Sequence, residues 1–150
     1  MAANRALYEK VILDHNKSPR NFGVMENPDR DAEGYNALCG DQFHVYLKVN
    51  DGTIDQVQFD GSGCAISKSS ASVMSTLLKG KTEEEARELF QKFNDMITAQ
   101  PDAPVDKEDL GKLVVFSGVR EFPIRVKCAT LAWHTLLAAL EGDADAVSTE

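Results

Sequence analysis

Gln42-Phe43-His44-Val45-Tyr46-Leu47-Lys48-Val49-Asn50-Asp51-Gly52-Thr53-Ile54 is the stretch on which the fold turns. Phe43, Val45, Leu47 and Val49 alternate with Gln42, His44, Tyr46 and Lys48, the period-two pattern of a strand buried on one side. Asn50-Asp51-Gly52-Thr53 then supplies residues that tolerate positive φ, as a tight hairpin turn requires. Ile54, Val57 and Phe59 form the returning strand with imperfect alternation, and Asp60-Gly61-Ser62-Gly63 closes it. A tight hairpin brings its outer ends together, so residues 39–41 and 61–64 are expected to be neighbours in space.

Upstream, Leu7, Val11, Ile12 and His15 stand at helical spacing with Tyr8 beside them, predicting an amphipathic helix over residues 5–15. Lys17-Ser18-Pro19-Arg20-Asn21-Phe22-Gly23 ends it with breaker chemistry. Residues 24–38 read as irregular, with Asn27-Pro28 and Gly34 as turn signals. Downstream, Cys64 opens a helix of small residues over 65–78, stopped by Gly80. Thr82-Glu83-Glu84-Glu85 is a capping-box start for a helix reaching about residue 94. Residues 95–110 hold two prolines and several acids and read as a loop, with a short helix opening near Asp109. Residues 113–116 are apolar, and Pro123 marks a bend. Residues 124–140 place Val126, Ala129, Trp133, Leu136, Leu137 and Leu140 on one helical face. A helix, a small antiparallel sheet and then more helices predict an α+β fold with helices packed on one sheet face. Nothing divides the chain, so residues 1–150 are expected to form a single domain with a flexible tail from about residue 142.

The composition, 43% hydrophobic and 27% charged, is that of an ordinary globular chain. No apolar run approaches the roughly 18 residues of a membrane span, and the first residues lack the apolar stretch of a secretory signal. The net charge of −8 is a poor match for phosphate backbones, so neither nucleic acid nor a membrane is expected as a partner. The acidity fits a well-solvated surface, or a partner with a basic patch. A cytoplasmic location is expected. The three cysteines are widely spaced and odd in number, which argues against a disulfide framework. In a reducing compartment such thiols bind metal or react.

Cys39 lies in Leu38-Cys39-Gly40-Asp41, just before the first strand. Cys64 follows Gly61-Ser62-Gly63 at a helix start, where unpaired N–H groups and the helix dipole favour a thiolate. Each cysteine is expected where the backbone can expose it, and Cys128, near the start of the last helix, can dock on the same rim. Three thiolates and one further donor would complete a tetrahedral metal site. Asp41 shares a face of an extended segment with Cys39 and is the first candidate for the fourth ligand. His44, further into the strand, is the rival. His15 and His134 lack ligand-like neighbours and read as packing or surface residues. Ser67, Ser69, Ser70 and Ser72 have no paired base and read as small residues at a helix interface. Trp133 reads as core. Gly40 and Gly63 either let the backbone approach a metal or serve simple turn geometry.

Several segments resemble the U-type iron–sulfur assembly proteins. They are Leu7-Tyr8-Glu9-Lys10-Val11-Ile12-Leu13-Asp14-His15, Ser18-Pro19-Arg20-Asn21-Phe22-Gly23, Asn36-Ala37-Leu38-Cys39-Gly40-Asp41, Gly61-Ser62-Gly63-Cys64-Ala65-Ile66-Ser67 and Lys127-Cys128-Ala129-Thr130-Leu131-Ala132-Trp133. Together they run from the first helix to about residue 140. The resemblance implies the U-type scaffold fold and a choice between two branches. Scaffold members, IscU-like, build clusters. SufU-like members look like zinc-dependent sulfur acceptors for a cysteine desulfurase. The long connection from Cys64 to Cys128, with its acidic segment around residues 80–110, resembles the second branch. Scaffold members carry a histidine where this chain has Lys127, and a Leu-Pro-Pro-Val-Lys chaperone motif where it has Glu121-Phe122-Pro123-Ile124-Arg125.

The resemblance therefore implies Zn²⁺ on Cys39, Asp41, Cys64 and Cys128, with iron or a [2Fe–2S] cluster as the alternative occupant. It implies that Cys39 accepts persulfide sulfur from a SufS-type cysteine desulfurase and that a downstream cluster assembly scaffold receives it. Three thiolates and a carboxylate outweigh the charge of one divalent ion, and Arg125 and Lys127 are placed to offset the excess. Asp41, a hard oxygen ligand among soft sulfurs, is expected to be the weakest of the four.

Overall fold

The computed structural model describes residues 2–36, 40–142 and 147–148. In chain order the elements are α1 (Ala2–Lys17), β1 (Arg30–Asn36), β2 (Asp41–Asn50), β3 (Thr53–Ser62), α2 (Ala65–Leu78), α3 (Glu83–Ile97), α4 (Lys107–Leu110), a run of 3-10 turns (Gly111–Glu121), α5 (Pro123–Glu141) and β4 (Val147–Ser148). The sheet order is β3-β2-β1-β4. The three long strands are antiparallel, and the two-residue β4 runs parallel to β1. Helices α2 and α5 cover one sheet face, α1 packs on α2, and α3 packs on α5 and the 3-10 run. This is the expected α+β arrangement.

The hairpin forms as its sequence dictates. Phe43, Val45 and Leu47 face the core, and Asp51 and Gly52 adopt the positive φ of the turn. The imperfect alternation of β3 has a local cause. A register shift at Lys48/Val49 pairs Ile54 with Val49 but Gln56 with Lys48, leaving Asp55 as an extra residue. The bulge inverts the phase, so Ile54 and Val57 both turn inward despite their odd spacing.

Residues 24–38 are not irregular throughout, because Arg30–Asn36 form β1. Its inward residues are Ala32, Gly34 and Asn36, so the strand alternates in burial without alternating in hydrophobicity. The reason is α5, which crosses directly above it. A Cβ on Gly34 would overlap Thr135 Oγ1 and lie 3.3 Å from Leu131 Cδ1. Arg30 at one end of β1 donates to the Leu140 carbonyl and ties the strand to the far end of the same helix.

The helices also depart from expectation in detail. On α1 the inward stripe is Tyr8, Val11, Ile12 and His15, while Leu7 is exposed. Helix α3 continues to Ile97 and α5 begins at Pro123, while the short helix expected near Asp109 is α4, capped by Asp106. The Thr82–Glu85 capping box is present. Helix α5 stops at Gly142 in a left-handed cap. Part of the expected flexible tail, Val147–Ser148, pairs with β1; the rest, residues 143–146 and 149–150, lies outside the described residues.

Buried polar groups hold α1 to α2. The Ser72 hydroxyl accepts from the Arg20 amide (2.8 Å) and pairs with His15 Nδ1 (2.7 Å). A base is thus paired with one of the serines, contrary to the sequence reading, but both residues are buried in the helix interface. Ser70 donates to the Ala129 carbonyl and accepts from Trp133 Nε1, so the core Trp133 is tethered to α2.

Burial lowers the His15 pKa below its usual value, and His134 is lowered by the same cause. The folded state therefore favours neutral imidazoles. Their contribution is present above about pH 6.5 and is lost as pH falls through that region toward the folded values. The Tm should fall between pH 7.5 and 5.5, and His15→Gln should flatten part of that slope in parallel thermal melts. Gly34→Ala should cost about 1–3 kcal/mol by overpacking against Thr135. Adding Thr135→Ala should recover part of the loss, read as a positive coupling in denaturant titrations.

Candidate metal centre

Two antiparallel strands and two helices converge at one rim of the sheet. Gln42 pairs with Ser62, so the residues just beyond that pair, Asp41 and Gly63, meet at the open end of the hairpin. Asp41 is the first residue of β2 and is buried. Cys64 is the N-cap of α2, in extended conformation, and its sulfur accepts from the Ser67 amide at 3.5 Å. Cys128 sits in the second turn of α5 and is fully buried, not exposed as the sequence reading has it. The face of α5 that seats on β1 carries Leu131 and Thr135, and Cys128 lies on that face at i−3 and i−7.

One carboxylate oxygen of Asp41 and the sulfurs of Cys64 and Cys128 lie within 4.8 Å of one another. Among the described residues this is the group of His, Cys, Asp and Glu side chains gathered closely enough to hold a metal ion. The Asp41 carboxylate is divided in its work. Oδ1 accepts the Cys64 backbone N–H at 2.9 Å. Oδ2 is buried and has no hydrogen-bond partner among the described residues. A buried carboxylate oxygen without a partner carries the full cost of its lost hydration, and a cation beside it offsets that cost. The fit between residues and ion therefore rests on this oxygen as well as on the two thiols. Cys39, the fourth residue of the expected set, falls outside the described residues.

The structure also separates the other candidates. Arg125, exposed in the first turn of α5, interacts with both thiols. Attraction to Cys64 is the largest cause raising its pKa; burial opposes it, and Cys128 reinforces it. Lys127 is half-buried next to Cys128 along the helix. His44 alternates with Phe43 and Val45 and occupies the sheet face opposite Asp41. There its Nε2 lies 2.6 Å from Asp31 Oδ2 and its ring stacks on Tyr46, so it does not compete for the cluster. On that face the Tyr46 phenol donates to Asp60 and is pushed up to about 12, first by burial and then by that carboxylate. Ser67 was legible only as a helix-interface residue. Its hydroxyl lies 3.5 Å from the Cys64 sulfur and donates to the Cys64 carbonyl at 3.1 Å. The signal for this role was the Cys64-x-x-Ser67 spacing, which matches the N-cap to N3 distance of a capping turn.

Residues 7–129 match the family described as NifU-like N terminal domain. The chain belongs to this family. Among its members, the zinc-dependent sulfurtransferase SufU of Bacillus subtilis (strain 168) is 41% identical over 130 residues, covering 87% of this chain and 86% of that protein. The iron–sulfur cluster assembly scaffold protein IscU of Streptococcus pyogenes serotype M1 is 37% identical over 140 residues, covering 93% of this chain and 86% of that protein. The family fold is shared with a crystal structure of FiSufU, a candidate scaffold for the SUF system from Fervidobacterium islandicum AW-1. The TM-score is 0.81 with 37% identity, covering 87% of this chain and 94% of that one. The N-terminal part of a nitrogen-fixing NifU-like protein from Brucella abortus superposes with a TM-score of 0.80 at 25% identity, covering 91% and 93%. The U-type fold expected from the sequence is thus the fold observed.

The two described thiols differ in access, since Cys64 is half-buried and Cys128 is sealed. After chelator treatment, iodoacetamide should label Cys64 at least several-fold faster than Cys128 in peptide mass maps. Equal rates would mean that α5 detaches from the rim in solution.

Proposed function

We propose that this chain is a zinc-dependent sulfur acceptor that takes persulfide sulfur from a SufS-type cysteine desulfurase for iron–sulfur cluster assembly. Cys39, Asp41, Cys64 and Cys128 would hold the zinc. The observation that carries the metal assignment is the gathering of an Asp41 carboxylate oxygen with the thiols of Cys64 and Cys128, together with a buried Oδ2 that has no hydrogen-bond partner among the described residues. Family membership and the 41% identity to a zinc-dependent sulfurtransferase support the sulfur chemistry.

When bound, zinc keeps its cysteine ligands as thiolates. In the transfer step the Cys39 thiolate attacks the outer sulfur of the desulfurase persulfide. A new S–S bond forms on Cys39, the donor's S–S bond breaks, and the desulfurase cysteine leaves as a thiolate. Cys39 is the ligand that must be released for this. Cys64 and Asp41 are joined to each other through the Cys64 N–H, and Cys128 is fully buried. Arg125 contributes positive charge beside the thiols, and Lys127 is proposed to add to it. The sulfur passes to a downstream assembly scaffold, and the proposal places the protein in the cytoplasm as a single-domain chain. Among the described residues no helix is long and apolar enough to cross a membrane.

A second reading has the chain assemble a [2Fe–2S] cluster on the same ligands. The specific support is the 37% identity to a protein named as an IscU scaffold, across 93% of this chain.

Incubation of the zinc-loaded protein with a cysteine desulfurase and cysteine should add one sulfur to its intact mass, and Cys39→Ala should abolish the gain. A persulfide that survives Cys39→Ala, on a protein that still stimulates the desulfurase, would overturn the proposal. Iron retained through anaerobic purification, with no persulfide formed, would favour the scaffold.

A further inference from the structure

Gly63 stands between the last residue of β3 and the N-cap of α2, and its place is not explained by backbone conformation. Gly40 and Gly61 adopt φ of +72° and +131°, which side chains rarely tolerate. Gly63 is absent from the positive-φ glycines. What distinguishes it is space. A Cβ at Gly63 would lie 2.6 Å from Ser67 Oγ, 2.7 Å from Asp41 Oδ1 and 2.9 Å from Phe43 Cε2.

These neighbours belong to the site or to the core wall behind it. Phe43 is buried in the core and cannot withdraw. Ser67 Oγ is engaged with the carbonyl and sulfur of Cys64. Asp41 Oδ1 is the acceptor of the Cys64 N–H. A methyl group at this position would push on the carboxylate and on the turn that presents Cys64, and would reorient Oδ2 relative to the two thiols.

We infer that Gly63 is a positioning residue for the metal centre: its bare Cα lets the Asp41 carboxylate close onto the Cys64 N–H, and so aims Oδ2 at the space between Cys64 and Cys128. The inference rests on the reading of Asp41 as a metal ligand. One oxygen of that carboxylate is held by the N-cap residue of α2.

The test uses the full chain as wild type, Gly63→Ala, Asp41→Ala and the double variant. Zinc affinity is measured by competition with a chromophoric chelator, and cobalt(II) spectra report the ligand field. Gly63→Ala should lose about 10–100-fold in affinity, the range typical of groups that orient a ligand, and Asp41→Ala, which removes a ligand, should lose at least as much. The double variant should bind no more weakly than Asp41→Ala, because Gly63 acts through that carboxylate. The cobalt spectrum of Gly63→Ala should differ from wild type and resemble that of Asp41→Ala.

Wild-type affinity in Gly63→Ala, or a double variant whose loss is the product of the two singles, overturns the inference while leaving the zinc reading intact. Wild-type affinity in Asp41→Ala removes Asp41 from the ligand set and overturns the inference together with that part of the zinc reading. If Gly63→Ala does not fold, the double variant decides. Folding restored by deleting the carboxylate supports the inference, and folding still lost assigns the clash to Phe43 or Ser67 and overturns it.

Discussion

The hydrogen bond from the Cys64 N–H to Asp41 Oδ1 joins the first residue of β2 to the N-cap of α2. The hairpin makes it possible, because an antiparallel pair returns its end to its beginning. The bond satisfies an otherwise unpaired donor at the helix start and fixes the carboxylate that faces the thiols. Everything proposed for the rim depends on this junction. It sets the orientation of Asp41, the height of Cys64 and the need for a glycine between the strand and the helix.

Cys128 arrives by a different route. Its position follows from how α5 lies across β1, with Thr135 and Leu131 over Gly34 and the Arg30–Leu140 contact at the far end. The helix is held to the core by Trp133 and its tether to Ser70. One donor therefore comes from the sheet, one from a helix cap and one from core packing. Such a site has a rigid base formed by groups whose movement would disturb the fold.

Much of this was legible in the sequence. The hairpin, the capping box, the helix opening at Cys64 and the small-residue interface of α2 all follow from local patterns, and all stand in the structure. The candidate cluster was legible for Asp41 and Cys64 because turn geometry alone brings the two ends of a hairpin together, and Cys128 was legible as a cysteine near a helix start that could dock on the same rim. Strand β1 was not, since its inward residues are too small to register as a hydrophobic period. The imperfect pattern of β3 hid a bulge that restores its inward face. The role of Ser67 and the burial of Cys128 were also hidden, because both depend on what packs against them.

The sequence by itself determined the secondary elements with strong local periods, the residue types available to a metal, and the family through its motifs. Local signals do this because capping, turn chemistry and alternation act over a few neighbouring residues. The tertiary structure alone decided which face of α5 meets β1, that His44 pairs with Asp31, and that one Asp41 oxygen accepts the Cys64 N–H while the other is buried with no hydrogen-bond partner among the described residues. Those outcomes are set by close packing between segments remote in sequence, where the presence of a single Cβ decides whether two groups can touch.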